Sequence, residues 1–189
     1  MKPQFNFLKK TMSFDIEAKE KFIQKVMDKV VPYFDQKGFN LSPIRNDIRI
    51  YFTDVERIYG CIGCHQYIPK ESLIRDHAHH EILISSRIHE KSEIIEILIH
   101  ELCHAIQFRL YGKNIRSHGR EFRQIAMRVG LTGKMTATYA DEDLADLIFQ
   151  WIEDIDPFKY LKRFMHLLKG IFDLSLFAAI GYGLAYIIY

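Results

Sequence analysis

The chain has 189 residues, of which 48% are hydrophobic and 13% aromatic, so it is long and apolar enough to fold around a core. A formal net charge of +2 argues against strong non-specific binding of nucleic acid, although a local basic face is compatible with it. Three cysteines at uneven spacing do not form a disulfide framework, and the first residues contain no apolar stretch of signal-peptide length. We therefore expect a cytoplasmic protein with one main domain.

In chain order, the hydrophobic pattern first predicts a long helix over residues 14–36, capped by Ser13 and ended by Gly38. Residues 47–53 alternate between polar and apolar, which is typical of a half-buried strand, and residues 81–85 predict a second strand. The stretch between these strands is rich in glycine, cysteine and histidine, and we expect it to be irregular.

The second half of the chain is predicted to be helical. Helices are expected over residues 92–111 and 119–129, each followed by a glycine, and over residues 141–151, where Asp141 can cap the helix. A last helix should begin at residues 156–157. This order predicts a small α+β domain over residues 1–150, with a minor sheet packed on helices, and a helical tail over residues 151–189.

The predicted helix 92–111 contains the sequence His100-Glu101-Leu102-Cys103-His104. Residues four apart occupy one face of a helix, so His100 and His104 can direct ring nitrogens at one zinc ion. Glu101 lies beside the first ligand, where its carboxylate can accept a proton from water. The same five-residue pattern also occurs by chance on amphipathic helices. The chemistry that it predicts is hydrolysis, with Glu101 as general base.

A catalytic zinc site needs a third protein ligand. The metzincin pattern is excluded because Leu110 stands six residues after His104, where that pattern has a histidine. His118 is the favoured candidate, because it directly precedes the helix 119–129 and is followed by Gly119, which would let the backbone approach the metal. Glu121 is the alternative ligand.

This combination resembles the SprT-like metallopeptidases, in which a HExxH helix is followed by a His-Gly-x-x-Phe start to the next helix. The matching positions are His100, Glu101, His104, His118, Gly119 and Phe122. The resemblance covers residues 14–139. It implies a zincin-like metallopeptidase domain, a Zn²⁺ ion held by the three histidines, Glu101 as general base, and a protease that digests proteins crosslinked to DNA. Many members carry a zinc ribbon, but no pair of CxxC motifs follows His118.

A second group of potential metal ligands lies between the two predicted strands. Cys61 and Cys64 form a CxxC pair, and His77 and His80 follow at a spacing compatible with a structural zinc site. The alternatives are a redox-sensitive gate to the active centre and a loop with solvated histidines. Cys103, inside the predicted metal-binding helix, is expected to be a small core residue.

The C-terminal stretch from Ile171 to Tyr189 contains a single charged residue, Asp173. Its length is close to the roughly 20 residues that cross a bilayer. Four basic residues precede it, which are Lys159, Lys162, Arg163 and Lys169. A membrane anchor that tethers the catalytic domain is therefore favoured, and a buried apolar C-terminal helix is the alternative.

The sequence thus predicts a zinc-dependent peptidase that acts on a protein substrate. Two alternatives remain, a non-catalytic zinc-binding module and a DNA-associated protease that acts on DNA–protein crosslinks. Tyr139 and Arg116 are the candidates for stabilising an oxyanion.

Overall fold

The computed structural model of the chain describes residues 4–54, 62–70 and 78–156, with side chains from Asp15 onward. These residues form an α+β fold in which a small mixed sheet lies against helices. This confirms the predicted fold class.

Four α-helices and one short 3-10 helix are present among the described residues. Helix α1 spans Gln4–Gln36, and the 3-10 helix spans Ser42–Asp47. Helix α2 spans Lys91–Tyr111, α3 spans Arg120–Arg128, and α4 spans Glu142–Ile155. The last three agree with the predicted helices to within a few residues at each end.

The strands form two sheets. Strands β1 (Ile48–Thr53), β2 (Gly63–Ile68) and β3 (His79–Ser85) are arranged in the order β1-β3-β2, with β1 parallel and β2 antiparallel to β3. Strands β4 (Leu131–Lys134) and β5 (Ala137–Ala140) form a separate antiparallel hairpin. Strands β1 and β3 confirm the two predicted strands.

Helix α2 lies at the centre of the fold. Eleven of its residues are buried, on more than one face of the helix, because β2, β3, α1, α3 and β5 all pack against it. A helix that is apolar on most sides requires such cover. Helix α1 contributes one apolar face to the same core, formed by Phe22, Ile23, Val26, Met27, Val30, Val31 and Phe34. The central helix is also the one that carries the HExxH sequence.

Three details differ from the prediction. Helix α1 begins at Gln4, so Ser13 lies inside the helix and is not its cap. The stretch expected to be irregular contains β2, and the hairpin β4–β5 was not predicted. The predicted cap of α4 is confirmed, because the Asp141 Oδ1 atom accepts a hydrogen bond from the Leu144 N–H at 2.9 Å.

The chain divides into two compact units, Met1–Ile152 and Glu153–Tyr189. Residues 153–156 are the only described part of the second unit, so the helix expected from 156–157 and the apolar stretch 171–189 lie outside the described residues. Among the described residues, no helix combines the length and the hydropathy that a membrane span requires. The membrane anchor stays a prediction.

Candidate metal centre

Three histidines converge where α2 meets the loop before α3. The Nε2 atom of His118 lies 3.2 Å from Nε2 of His100 and 3.1 Å from Nε2 of His104. Ligand atoms of all three rings lie within 4.8 Å of one another, and no other such group occurs among the described residues. This three-histidine cluster could bind a metal ion.

Hydrogen bonds alone do not account for the convergence. A ring nitrogen carries either one hydrogen or one lone pair, so Nε2 of His118 cannot form a well-directed hydrogen bond with both neighbours. A cation would instead accept a lone pair from each ring. Tetrahedral coordination with metal–nitrogen bonds of about 2.0–2.1 Å places the nitrogens about 3.3–3.4 Å apart. The observed separations of 3.1 and 3.2 Å are close to this value, so the cluster fits a small divalent cation.

The loop between α2 and α3 brings His118 back to the helix. Gly112 ends α2 with a φ of 78° and donates its N–H to the Phe108 carbonyl. Gly119 was expected to let the backbone approach a metal, but a Cβ atom at Gly119 would instead lie 3.0 Å from the Arg116 carbonyl oxygen. The glycine is therefore needed for the tight turn that precedes α3.

Phe122 packs against all three histidines. Its ring centroid lies 4.3 Å from that of His104, 4.9 Å from that of His100 and 5.0 Å from that of His118. The side chain is fully buried. This phenylalanine in the first turn of α3 therefore forms an apolar wall behind the cluster and restricts the orientation of each ring.

The second nitrogen of each helical histidine has its own partner. Nδ1 of His100 lies 2.8 Å from Oγ1 of Thr138 on β5, and Nδ1 of His104 lies 3.4 Å from Oε1 of Gln107. Gln107 also donates a hydrogen bond to the Arg116 carbonyl at 3.0 Å, which ties α2 to the loop of His118. Such outer partners orient the ligand rings of metal sites.

Burial keeps the three rings neutral at physiological pH. Desolvation, together with the nearby His118, lowers the pKa of His100 to about 4. Desolvation and the neighbouring histidines lower the pKa of His104 to about 3, and desolvation also lowers the pKa of His118. Neutral imidazoles offer the lone pairs that a metal ion needs.

Glu101 lies beside this cluster and is only 5% exposed. Burial raises the pKa of its carboxyl to about 8, opposed by a hydrogen bond from the backbone N–H of His65. Cys103, two residues on, is fully buried, and burial raises the pKa of its thiol. It is therefore a protonated core residue, as expected.

Strand β2 runs along α2 past the cluster. A Cβ atom at Gly63 would lie 2.7 Å from Oε1 of Glu101, so this position approaches the carboxylate closely. The ring of His65 is nearly parallel to that of His104, with centroids 6.4 Å apart, and Tyr67 stacks on Phe108 at 4.3 Å. Alternate residues of one strand thus cover successive turns of the helix.

A cavity of about 780 Å³ opens between these elements. The three histidines and Glu101 line it, as do His65 of β2 and Thr138 of β5. Its apolar walls come from Ile62, Ile97, Phe108 and Ile115. The cavity is large enough for several side chains of a bound molecule.

Residues 27–141 match the model of the SprT-like family, which is more than half of the chain. The chain belongs to the SprT-like family. No curated protein and no solved structure matches it.

In this SprT-like chain the structure brings together the histidines that the sequence singled out. His100, His104 and His118 form the cluster, and Glu121, the alternative ligand, is not part of it. Neither Tyr139 nor Arg116, the candidates for stabilising an oxyanion, is among the residues that line the cavity. Tyr139 packs over Gly133 of the hairpin instead.

The second predicted site is a structural zinc site formed by Cys61, Cys64, His77 and His80. Cys61 and His77 lie outside the described residues. Cys64 pairs with Leu83 and His80 pairs with Tyr67, so Cys64 and His80 face opposite sides of the sheet. His80 instead contacts His65, with Nδ1 of His80 at 2.8 Å from Nε2 of His65. The described pair is not brought together, and the four-residue site stays a prediction.

Three residues around the SprT-like centre were missed by the sequence reasoning: Gly63, His65 and Thr138. The CxxC pattern predicts metal ligands in the stretch that contains Gly63 and His65, but it predicts no role for these two residues. The sequence around Thr138 carries no comparable signal. These residues reach the site through the pairing of β2 with β3 and of β5 with β4.

Proposed function

We propose that the protein is a zinc-dependent peptidase in which a water molecule attacks a peptide bond with Glu101 as general base. The observation that carries the proposal is the position of Glu101. It follows the first histidine on α2, and it lines the same cavity as the three rings. A purely structural metal module has no use for a buried carboxyl group at an open cavity, since burying such a group costs folding free energy.

Zinc is the proposed ion because catalytic zinc sites use three protein ligands, often imidazole nitrogens, and keep one position open. His100, His104 and His118 would hold it, and the cavity adjoins them. When bound, zinc lowers the pKa of a coordinated water to about 7 and polarises a carbonyl oxygen.

Glu101 performs the proton transfers. Burial raises its pKa to about 8, and a cation in the histidine cluster would favour the ionised form. The carboxylate then accepts a proton from the attacking water and delivers it to the leaving amine, which restores the starting state. The hydrogen bond from the His65 N–H keeps the carboxylate oriented through both transfers.

Strand β2 lies at the edge of its sheet, and among the described residues no strand pairs with its outer side, which favours an extended peptide as the substrate. The Ser85 N–H bonds to the Ile62 carbonyl, so the alternating ladder turns the backbone groups of Gly63, His65 and Tyr67 away from β3. The His65 N–H donates to Glu101, so a bound peptide would pair with the outward groups of Gly63 and Tyr67 and with the His65 carbonyl. These residues border the cavity. A chain segment without structure of its own can pair with such an edge and present its carbonyl groups to the centre.

The decisive variant is Glu101→Gln, which keeps the size of the side chain and removes the base. We expect hydrolysis of casein, a loosely folded protein, to fall at least about 100-fold, the usual contribution of a general base. Zinc content, measured by mass spectrometry of the purified chain, should stay at the wild-type value. Glu142→Gln, at an exposed position on α4, is the matched control and should keep full activity.

Undiminished hydrolysis in Glu101→Gln would remove the proposed mechanism. A zinc-loaded wild-type chain without activity on any unfolded protein would favour the non-catalytic module.

A second candidate, a DNA-associated protease, is favoured by the charge distribution. Residues 109–134 contain one acidic residue, Glu121, and seven exposed basic residues, which are Arg109, Lys113, Arg116, Arg120, Arg123, Arg128 and Lys134. Lys113 also lines the cavity. A near-neutral chain that concentrates positive charge in one segment next to its site can bind a phosphate backbone there.

This candidate predicts that duplex DNA binds with an affinity that falls as salt is raised. The variant Arg120→Glu/Arg123→Glu should reduce the slope of log affinity against log salt by about 1 per lost phosphate contact. Lys25→Glu/Lys29→Glu on α1 is the charge-matched control and should leave the slope unchanged. Binding that is absent at low salt, or a slope that responds equally to both variants, would count against a role for this segment.

A further inference from the structure

We propose that the hairpin β4–β5 is a working part of the metal centre, with Thr138 as a positioning residue that fixes the orientation and tautomer of His100. The inference rests on the proposed metal site. It adds a residue that lies outside both halves of the sequence motif, 38 positions after His100.

The direction of the hydrogen bond follows from the geometry. The Nε2 atom of His100 faces the other two rings, so its lone pair must be free when a cation binds. The hydrogen of the neutral ring then resides on Nδ1. That hydrogen points to Thr138, whose Oγ1 lies 2.8 Å away and has lone pairs to accept it. A side chain without an oxygen at this position would leave the N–H unpaired and both tautomers accessible.

The hairpin is attached to α2 at a second point. The carboxylate of Glu96 accepts a hydrogen bond from the backbone N–H of Ala140. Glu96 and His100 are four residues apart on α2, and Thr138 and Ala140 are two apart on β5, so each pair lies on one face of its element. The helix and the strand therefore meet at two neighbouring positions, which holds the Thr138 hydroxyl within hydrogen-bond distance of Nδ1 of His100.

The two helical histidines differ in this respect. His104 has its outer partner, Gln107, on the same helix and at the longer distance of 3.4 Å. His100 depends on a separate element for its shorter contact. The hairpin is anchored in the core by Leu131, which is 1% exposed, so the position of Thr138 is set by the packed domain.

The test is the zinc affinity of the whole chain, measured by competition with a chromophoric chelator. Thr138→Val keeps the shape of the side chain but removes the acceptor, and we expect the affinity to fall about 10- to 100-fold, as for other outer partners of ligand histidines. Thr138→Ser keeps the hydroxyl and should restore most of the affinity. Thr136→Val, an exposed neighbour that also lines the cavity, is the matched control and should bind zinc like the wild type.

Glu96→Ala is a second variant that tests the role of the hairpin. It should also weaken zinc binding, and its effect should be smaller in the Thr138→Val background, because Glu96 acts on His100 only through the position of Thr138 on the hairpin. Urea unfolding of the metal-free variants separates positioning from a loss of folding.

The outcomes distinguish this role from the proposed function. Equal zinc affinity for Thr138→Val and the wild type would overturn the positioning role while the metal centre stands. The same holds if Thr138→Val loses stability but no affinity, or if Thr138→Ser fails to restore binding. A wild-type chain that binds no zinc would overturn the metal centre and this role together.

Discussion

Gly63 has no side chain, and the space that a side chain would fill is occupied by two neighbours on α2. A Cβ atom would lie 2.5 Å from Cγ2 of Ile97 and 2.7 Å from Oε1 of Glu101. Both distances are too short for a real Cβ contact and both side chains are buried, so Ile97 and Glu101 would each have to shift. These contacts restrict the position opposite the proposed base to glycine. The backbone conformation does not, because Gly63 is in an ordinary extended conformation that any residue can adopt.

We therefore predict that Gly63→Ala lowers peptidase activity at least about tenfold while zinc content stays unchanged, because the displaced carboxylate is not a metal ligand. Overpacking of this kind should also lower the free energy of unfolding by about 1–3 kcal/mol. Gln66→Ala, on the opposite face of β2 and not among the residues that line the cavity, is the control and should keep its activity. Full activity in Gly63→Ala would show that Glu101 tolerates the shift.

The residues of the candidate metal centre could be predicted from the sequence, and those that orient the candidate ligands could not. The positions of His100, Glu101 and His104 follow from helical spacing, and His118 follows from its place before α3 and from the family resemblance. Thr138 has no local signal, because a threonine in a short polar strand is common and its role depends on a contact across 38 positions. Gly63 has no local signal either, since its importance depends on its contacts with Ile97 and Glu101 on α2.

At the level of elements, prediction succeeded where one strong local signal was present. Helix α2 has an apolar pattern and a glycine after its last turn, and its observed bounds agree with the prediction. Strand β2 has mixed side chains that are half-buried on both faces, and it is held by pairing with β3 and by the stacking of Tyr67 on Phe108. Strand formation that depends on such partners is not visible in the local sequence.

The start of α1 shows the limit of a capping signal. Ser13 suits a cap, but residues 4–12 contain no glycine or proline that would stop the helix. A polar residue caps a helix only where the preceding chain leaves it, and here the helix continues back to Gln4. The hairpin β4–β5 was missed for another reason, since its strands have four residues each and alternate only weakly.

For the whole molecule, the histidines set how the metal-free protein responds to pH. Burial lowers the pKa to about 3 for His65 and His104 and to about 4 for His100. The unfolded chain has ordinary histidine pKa values near 6.5, so on acidification it binds protons that the folded protein does not. Glu101 acts in the opposite sense, because its pKa of about 8 makes the folded protein bind a proton that the unfolded chain has lost.

We predict that the metal-free protein is most stable near pH 6.5. Between pH 6.5 and 4.5 these three histidines oppose Glu101, so the four groups together should make the free energy of unfolding fall on acidification with a slope of up to about 3 kcal/mol per pH unit. The lowered pKa values of His80 and His118 act in the same direction, and the raised pKa of Glu96 acts in the opposite direction. Above pH 6.5 Glu101 acts alone, and stability should fall by up to about 1.4 kcal/mol per unit until pH 8. Urea unfolding of the chelator-treated chain at several pH values measures both slopes.

The matched variant is Glu101→Gln, which should abolish the decline between pH 6.5 and 8 and keep the decline on the acid side. A free energy of unfolding that is constant between pH 4.5 and 6.5 would contradict the burial of neutral histidines.

The residues of the candidate metal centre are far apart in the sequence, and this has a consequence for the synthesis of the protein. The two helical histidines are made first, His118 follows 14 positions after His104, and Thr138 follows 20 positions later. At about 5–20 residues per second, the ribosome needs about 2–7 seconds to pass from the HExxH helix to the hairpin. During this interval the nascent chain has its first two ligands but not the strand that orients one of them. The proposed metal centre would therefore be complete only when the hairpin has emerged and folded, and the proposed peptidase activity would begin only after that point.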